Sequence, residues 1–171
     1  MKYIELSKKG KYKGLYRTIV DDENYEELNK YNWSALVNPS RSNTQYARRT
    51  KPNSGGKLIM MHRVVINCPD GFYVDHINGD GLDNRKENLR ICTDGQNKMN
   101  RIPLKNTKSK YKGVLCNEKC ISAAININGK KKHLGTFKTE EEAAKAYDEA
   151  AKIHHGGFAY LNFNESLNTL I

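Results

Sequence analysis

The stretch Phe72-Tyr73-Val74-Asp75-His76, followed by Asn78-Gly79-Asp80-Gly81, then Asn84 to Asn88, Leu89-Arg90-Ile91-Cys92 and Thr93-Asp94, decides the fold. Two short β-rich runs flank a segment crowded with turn residues, which predicts a strand, an irregular loop and a second strand. Thr93 or Asp94 then caps a short helix that carries Asn97 near its first turn. Within this β-β-α unit His76, Asn88 and Asn97 are spaced by 12 and 9 residues, and Asp75 adjoins the histidine.

These residue types suit hydrolysis of a phosphodiester. That reaction needs a deprotonated water, charge relief around phosphorus and help for the departing oxygen. The Asp75 carboxylate and the Asn97 carbonyl are hard oxygen donors for a cation such as Mg2+, with waters and phosphate filling the other positions. His76 titrates near neutrality and suits a general base. Neighbours in a strand point to opposite faces, so the backbone must twist or end there for both side chains to serve one site. Asn88 is expected to cross-link the loop through backbone hydrogen bonds. Each of these residues also reads as an ordinary turn or cap former; the four at this spacing, between basic flanks, point to chemistry.

Working outward, Leu58 to Ile66 is a buried strand or a strand running into a helix, which periodicity at this length does not separate. Upstream, Leu15 to Val20, Trp33 to Val37 and Tyr46 to Arg49 read as strands, with Asp22 to Leu28 as a short helix of acidic first turn and 52–56 as a turn. Downstream, Arg101 to Lys110 reads as an extended basic linker, since Pro103 does not continue the helix. Three strands follow, Gly113 to Leu115, Ile121 to Ile127 and His133 to Phe137. Asn128-Gly129 marks a type I′ hairpin between the last two. A helix from Glu140 to Ile153 closes the pattern, with Thr139 and Glu142 as a capping box and Ala143, Ala146, Tyr147 and Ala150 on one face.

The fold class expected is α+β: an N-terminal small antiparallel sheet, a central ββα unit and a C-terminal three-stranded antiparallel sheet packed on one helix. The expected divisions are 1–57, a β-rich DNA-contacting region; 58–101, the catalytic core; 102–108, a basic linker; and 109–171, a docking domain.

The chain has 171 residues and a formal charge of +10, from 29 Lys and Arg against 19 Asp and Glu. Residues 1–57 hold 12 basic and 6 acidic side chains, 58–102 hold 6 and 6, and 103–171 hold 11 and 7. A neutral centre between two basic flanks suits a protein that grips a phosphate backbone at two places. From Lys105 to His133 there are eight lysines and one glutamate, whereas Lys138 to Lys152 has three lysines and five acids. The sheet, not the helix, is therefore expected to meet DNA. The DNA-contacting set is Arg48, Arg49, Lys105, Lys108, Lys110, Lys112, Lys119, Lys130, Lys131 and Lys132. No stretch approaches 18 apolar residues and the N-terminus opens no signal-like run, so a cytoplasmic protein with no membrane partner is expected. Cys68, Cys92, Cys116 and Cys120 lack Cys-x-x-Cys pairing and read as free thiols.

Met61-His62-Arg63, Val74-Asp75-His76-Ile77-Asn78-Gly79-Asp80, Asp83-Asn84-Arg85, Glu87-Asn88-Leu89-Arg90 and Gln96-Asn97 resemble the HNH endonucleases, in particular phage and intron-encoded homing enzymes. The resemblance implies a ββα-metal fold, His76 as general base, Asn88 as the structural asparagine, and Asp75 and Asn97 as ligands of one divalent cation. The family's final histidine is Asn97 here, which favours magnesium or manganese over zinc or nickel. Arg63 is implied as a contact to the scissile phosphate, and His62 as either a packed histidine or a site residue.

The run 109–163, with Lys110-Tyr111-Lys112-Gly113-Val114, Leu134-Gly135-Thr136-Phe137, Glu141 to Asp148 and Leu161-Asn162-Phe163, resembles the APETALA2-type DNA-binding domain, which lays a three-stranded sheet in the major groove. Tryptophans usual on the first two strands are Cys116 and Ile121 here, and a usual arginine is Ser122. Outward Ser122, Ala124 and Asn126 make few base-specific bonds, so this module is expected to dock through lysines on phosphates. The implied partner is double-stranded DNA bound by a monomer, with no small-molecule substrate, in a bacterial host if phage-encoded. Two other readings stand beside the nuclease: a catalytically inactive DNA-binding regulator on the same scaffold, and an RNA-processing protein. The second lacks an aromatic stacking motif.

Overall fold

The computed structural model describes residues 1–7, 12–37, 45–103 and 107–163. The chain divides into two compact units, Met1–Asp94 and Gly95–Ile171.

In the first unit β1 (Lys2–Leu6) and β2 (Tyr16–Val20) pair antiparallel, Lys2 opposite Val20 and Leu6 opposite Tyr16. β1 is a strand that the composition of residues 1 to 5 did not announce. Its alternation is nonetheless regular, with Ile4 and Leu6 inward and Tyr3 and Glu5 outward. Helix α1 (Asp22–Asn29) follows, with Asp22 and Glu23 in its first turn, where acidic groups offset the helix dipole. β3 (Ser34–Val37), β4 (Gln45–Thr50) and β5 (Leu58–Met60) form an antiparallel sheet in that order. β4 and β5 pair across position 57, where the sequence suggested a boundary, so the N-terminal region and the centre share a sheet.

The ambiguous run from Leu58 resolves into a strand that passes directly into helix α2 (Met61–Val65). β6 (Tyr73–His76) and β7 (Leu89–Cys92) then pair antiparallel, with a 3-10 turn at Lys86–Asn88 leading into β7. One core joins these elements: Leu6, Val20, Trp33, Ala47, Met61 and Leu89 are among its members. Trp33 is 1% exposed, and its indole N–H, which needs a partner when buried, donates to Leu28 O at 2.8 Å.

The second unit begins within helix α3 (Asp94–Asn100). β8 (Val114–Cys116), β9 (Ile121–Ile127) and β10 (Lys130–Phe137) form an antiparallel sheet with β9 central. Asn128 and Gly129 have φ of 49° and 79°, so both central residues of the two-residue loop are left-handed, as a type I′ turn requires. Helix α4 (Glu140–His155) follows, two residues longer than expected.

The face that α4 buries is rotated by about one residue from the expected stripe. Ala143, Ala144, Tyr147, Asp148 and Ala151 are buried, while Ala146 and Ala150 are only half-buried. Asp148 is inside because it is fully hydrogen-bonded, accepting from Asn162 N, Asn162 Nδ2 and Phe163 N, each at 2.9 Å. Gly113, at φ 78°, lies so close to Tyr147 that a Cβ would sit 1.9 Å from the ring. Residues expected to end a free linker already belong to this unit: Ser109 is 3% exposed and its hydroxyl donates to Glu140 Oε2 at 2.6 Å.

The capping box at Thr139 and Glu142 is present in both directions. Thr139→Ala is expected to destabilise the protein by about 1 kcal/mol, read as a lower denaturant midpoint with an unchanged slope. Among the described residues no helix is long and apolar enough to cross a membrane.

Candidate active site

His76 is the last residue of β6. Its carbonyl accepts from Gly79 N at 2.9 Å, so the chain turns immediately after it. That ending lets Asp75 and His76 both be enclosed, at 5% and 6% exposure, although they leave the strand on opposite sides.

On one side Asp75 faces its cross-strand partner Arg90, whose Nη2 and Nε both reach Asp75 Oδ2, at 2.6 and 2.8 Å. The two guanidinium bonds to one oxygen fix the direction of the buried carboxylate. On the other side the His76 ring packs against two rings from elsewhere in the unit. His62 of α2 stands 5.1 Å away at 88°, and Tyr46 of β4 stands 5.7 Å away at 52°. Tyr46 and His62 close the triangle at 5.7 Å. Gly81 makes room for it, since a Cβ there would come within 2.3 Å of Gln45 O and 2.6 Å of the Tyr46 ring.

Burial in this cluster sets the protonation of both histidines. His62 is pushed down to about 3, by desolvation first and then by the charges of His76 and Arg63. His76 is also lowered by desolvation, which outweighs the upward pull of Asn84, Asp75, Asp80 and Asp83. A neutral imidazole at pH 7 is the form a general base requires.

Asn88 ties the loop together. Its Oδ1 accepts from Asn78 N at 3.0 Å, its Nδ2 donates to Asp83 O at 2.9 Å, and its carbonyl accepts from Ile77 N at 2.9 Å. Asp83 is fixed in turn by Arg85, through Nε at 2.8 Å and Nη2 at 2.7 Å, and by Asn78 Nδ2 at 2.9 Å. The Arg85 guanidinium holds the Asp83 carboxyl below the usual carboxylate range. The loop is also stitched to β2: Ile19 N donates to Leu82 O at 3.0 Å and Asn84 N to Ile19 O at 2.9 Å. Inside that stitch, wholly buried Thr18 donates to Leu82 O at 2.6 Å and accepts from Asn84 Nδ2 at 2.7 Å.

Asp75, His76 and Asn88 therefore come together in the first unit. Asn97, half-buried on α3, belongs to the second. Arg63, assigned by resemblance to the scissile phosphate, has its guanidinium engaged by backbone: Nη1 donates to Phe72 O at 2.7 Å, and Nη2 to Pro69 O at 3.0 Å and Cys68 O at 3.3 Å. It braces the turn that leads into β6. Tyr46 and Thr18 were not singled out by sequence, because both arrive through tertiary pairing rather than local spacing.

The basic residues separate by register. Arg49 lies over Tyr31 at 4.0 Å and Trp33 at 5.5 Å, and Arg48 next to it is half-buried. Lys105 lies outside the described residues, whereas Lys108, Lys110 and Lys119 are exposed. In β10 Lys131 pairs with outward Asn126, while Lys130 and Lys132 pair with Ile127 and Ile125, which pack on the helix side. Of the three lysines only Lys131 shares the outward face with Ser122, Ala124 and Asn126. Lys112 bonds to backbone: its Nζ reaches Met99 O at 2.5 Å and Arg101 O at 2.8 Å.

Residues 61–99 match the HNH endonuclease family. The matched HNH segment takes in His62, Arg63, Asp75, His76, Asn88 and Asn97. Over 114 residues the chain is 38% identical to an uncharacterized HNH endonuclease of Acanthamoeba polyphaga mimivirus, a match covering 63% of this chain and 58% of that relative. Shorter matches reach two Arabidopsis thaliana proteins, dehydration-responsive element-binding proteins 2A and 2E. They are 58% identical over 38 residues and 55% over 44, covering 22% and 26% of this chain and 11% and 18% of the relatives. The chain spans little more than half the length of the viral relative and far less of the plant ones. No solved structure matches.

Proposed function

We propose that the HNH segment makes this chain a metal-dependent DNA endonuclease of the homing type, and that residues 109–171 dock it on double-stranded DNA. The observation that carries the reading is His76: a buried imidazole, lowered in pKa, held between Tyr46 and His62 at the end of β6, where a loop cross-linked by Asn88 begins.

In this mechanism His76 takes a proton from the water that attacks phosphorus. Asn88 keeps the loop, and so the ring, in one orientation without touching substrate. Arg90 keeps Asp75 aimed, and Arg63 braces the turn before β6. The donor set fits a hard cation: a buried carboxylate on Asp75 and a carboxamide oxygen on Asn97. Among the described residues no group of three or more His, Cys, Asp or Glu forms a metal cage. Few protein ligands suit magnesium, which keeps several waters and takes substrate oxygens. One Mg2+ or Mn2+ ion, when bound, supplies charge stabilisation to the phosphate and to the departing 3′ oxygen. Lys131 and the exposed Lys108, Lys110 and Lys119 contact phosphates, which positions the enzyme more than it reads sequence.

Incubation of double-stranded DNA and of matched RNA with the protein, in magnesium or in chelator, tests this. The expected outcome is magnesium-dependent cleavage of DNA with 5′-phosphate and 3′-hydroxyl ends. Binding with no product would sink the nuclease and leave the inactive regulator; preferential cutting of RNA would sink the DNA substrate.

A further inference from the structure

Lys112 sits in a stretch whose lysines would be read as phosphate contacts, but its ammonium is turned inward, onto the end of the helix that carries Asn97. Its Nζ donates to Met99 O at 2.5 Å, Arg101 O at 2.8 Å and Lys98 O at 3.4 Å. The last carbonyls of a helix have no partner within it, and a cation there also offsets the dipole. Tyr160 N donates to Met99 O at 3.3 Å, and the Tyr160 ring lies 5.3 Å from the ammonium.

The backbone of Lys112 is itself anchored. Asn162 accepts from Lys112 N through Oδ1 at 2.7 Å and donates to Lys112 O through Nδ2 at 3.1 Å. Buried Asp148 of α4 holds Asn162 by its backbone and its amide, and the contact of Gly113 with Tyr147 fixes the next residue. A continuous set of hydrogen bonds therefore runs from α4 through Asp148, Asn162 and Lys112 to the C-terminal end of α3.

We propose that Lys112 is a positioning residue that fixes the C-terminal end of the helix bearing Asn97 to the sheet and helix of its own unit, rather than a contact to DNA phosphate. The effect on cleavage rests on the reading of Asn97 as a metal ligand. The mechanical link does not, because every bond in it lies within residues 98–162.

The test uses the full chain with Lys112→Met, which keeps the aliphatic stem and loses the donors, Lys112→Arg, which keeps the charge, and Lys131→Ala as an outward-facing comparison. Hydrogen exchange of amides 98–101 is measured without metal or DNA, alongside DNA affinity across salt concentrations in chelator, and kcat and KM in magnesium. Lys112→Met is expected to speed exchange at the end of α3 roughly ten-fold, as loss of charge-assisted bonds implies. It should lower kcat by a similar factor with KM for DNA and its salt slope nearly unchanged. Lys112→Arg should recover most of both losses, and Lys131→Ala should weaken DNA binding without changing exchange in α3. Unchanged exchange in Lys112→Met, with weaker binding and a salt slope reduced by about one, would make Lys112 a phosphate contact and overturn the proposal. If the wild-type chain cuts nothing, the nuclease reading fails, while exchange and binding still decide the role of Lys112.

Discussion

Replacing His76 with alanine is expected to lower the single-turnover rate of DNA cleavage by about 10²- to 10⁴-fold, the range that a positioned general base contributes. The size follows from the surroundings of the ring. His76 is 6% exposed, and the packed rings of Tyr46 and His62 leave little space from which bulk water could replace the imidazole in orientation as well as in basicity. On the proposed reading Asp75 and Asn97 hold the cation and are unaltered in this variant, so a magnesium dependence of the wild-type rate should persist in the residual rate. DNA affinity in chelator should also stay close to that of the original, because the lysines of the sheet are untouched. His76→Gln separates packing from proton transfer, since it keeps a polar side chain without a base of useful pKa, and it should be as slow as the alanine variant. Cleavage by either variant near the wild-type rate would remove His76 from the mechanism.

What the sequence made legible, and what it did not, follows the range of the interactions. The β6 and β7 hairpin, its loop and the start of α3 could be read from turn residues, alternation and a cap, all of them local. Asn88 as a cross-link was legible for the same reason, since its amide bonds to Asn78 and Asp83 within its own loop. Tyr46 could not be found that way. It reaches His76 only because β4 packs beside α2 and β6, and a tyrosine in an alternating strand looks the same whether it faces a buried histidine ring or a hydrophobic core. Likewise, the stretch of three lysines in β10 has uniform charge, and only the register against β9 separates Lys131 from Lys130 and Lys132. The stripe on α4 was misplaced by one residue because a count of alanines ignores Asp148, which is buried through its bonds to Asn162 and Phe163. Hydrophobic pattern carries no signal for a carboxylate that is inside because it is satisfied.

His62 makes stability depend on pH more steeply than the net charge implies, and His62→Phe should remove much of that dependence. Burial holds the folded-state His62 at about 3 against an ordinary 6.5, with Tyr46 of β4, His76 of β6 and Arg63 of its own helix around it. The unfolded chain takes up this proton first, so it binds more protons below 6.5 and stability rises with pH. The contribution of a neutral, buried His62 is complete above pH 6.5 and is lost as pH falls from there to about 3. Across the full window the loss is about 5 kcal/mol, and between pH 7 and pH 5 about 2 kcal/mol, comparable with a large part of the stability of a small domain. The lowered His76 acts in the same direction. Asp83, held down by Arg85, adds a further loss only in stronger acid, below the carboxylate range. Phenylalanine keeps a ring against Tyr46 and His76 and has no proton to gain. Denaturant midpoints at pH 7.0 and 5.0 should therefore differ by about 2 kcal/mol less in His62→Phe than in the original chain. Equal pH dependence in the two proteins would mean that His62 is protonated in the folded state, and that the ring cluster around His76 is wetter and looser than its geometry indicates.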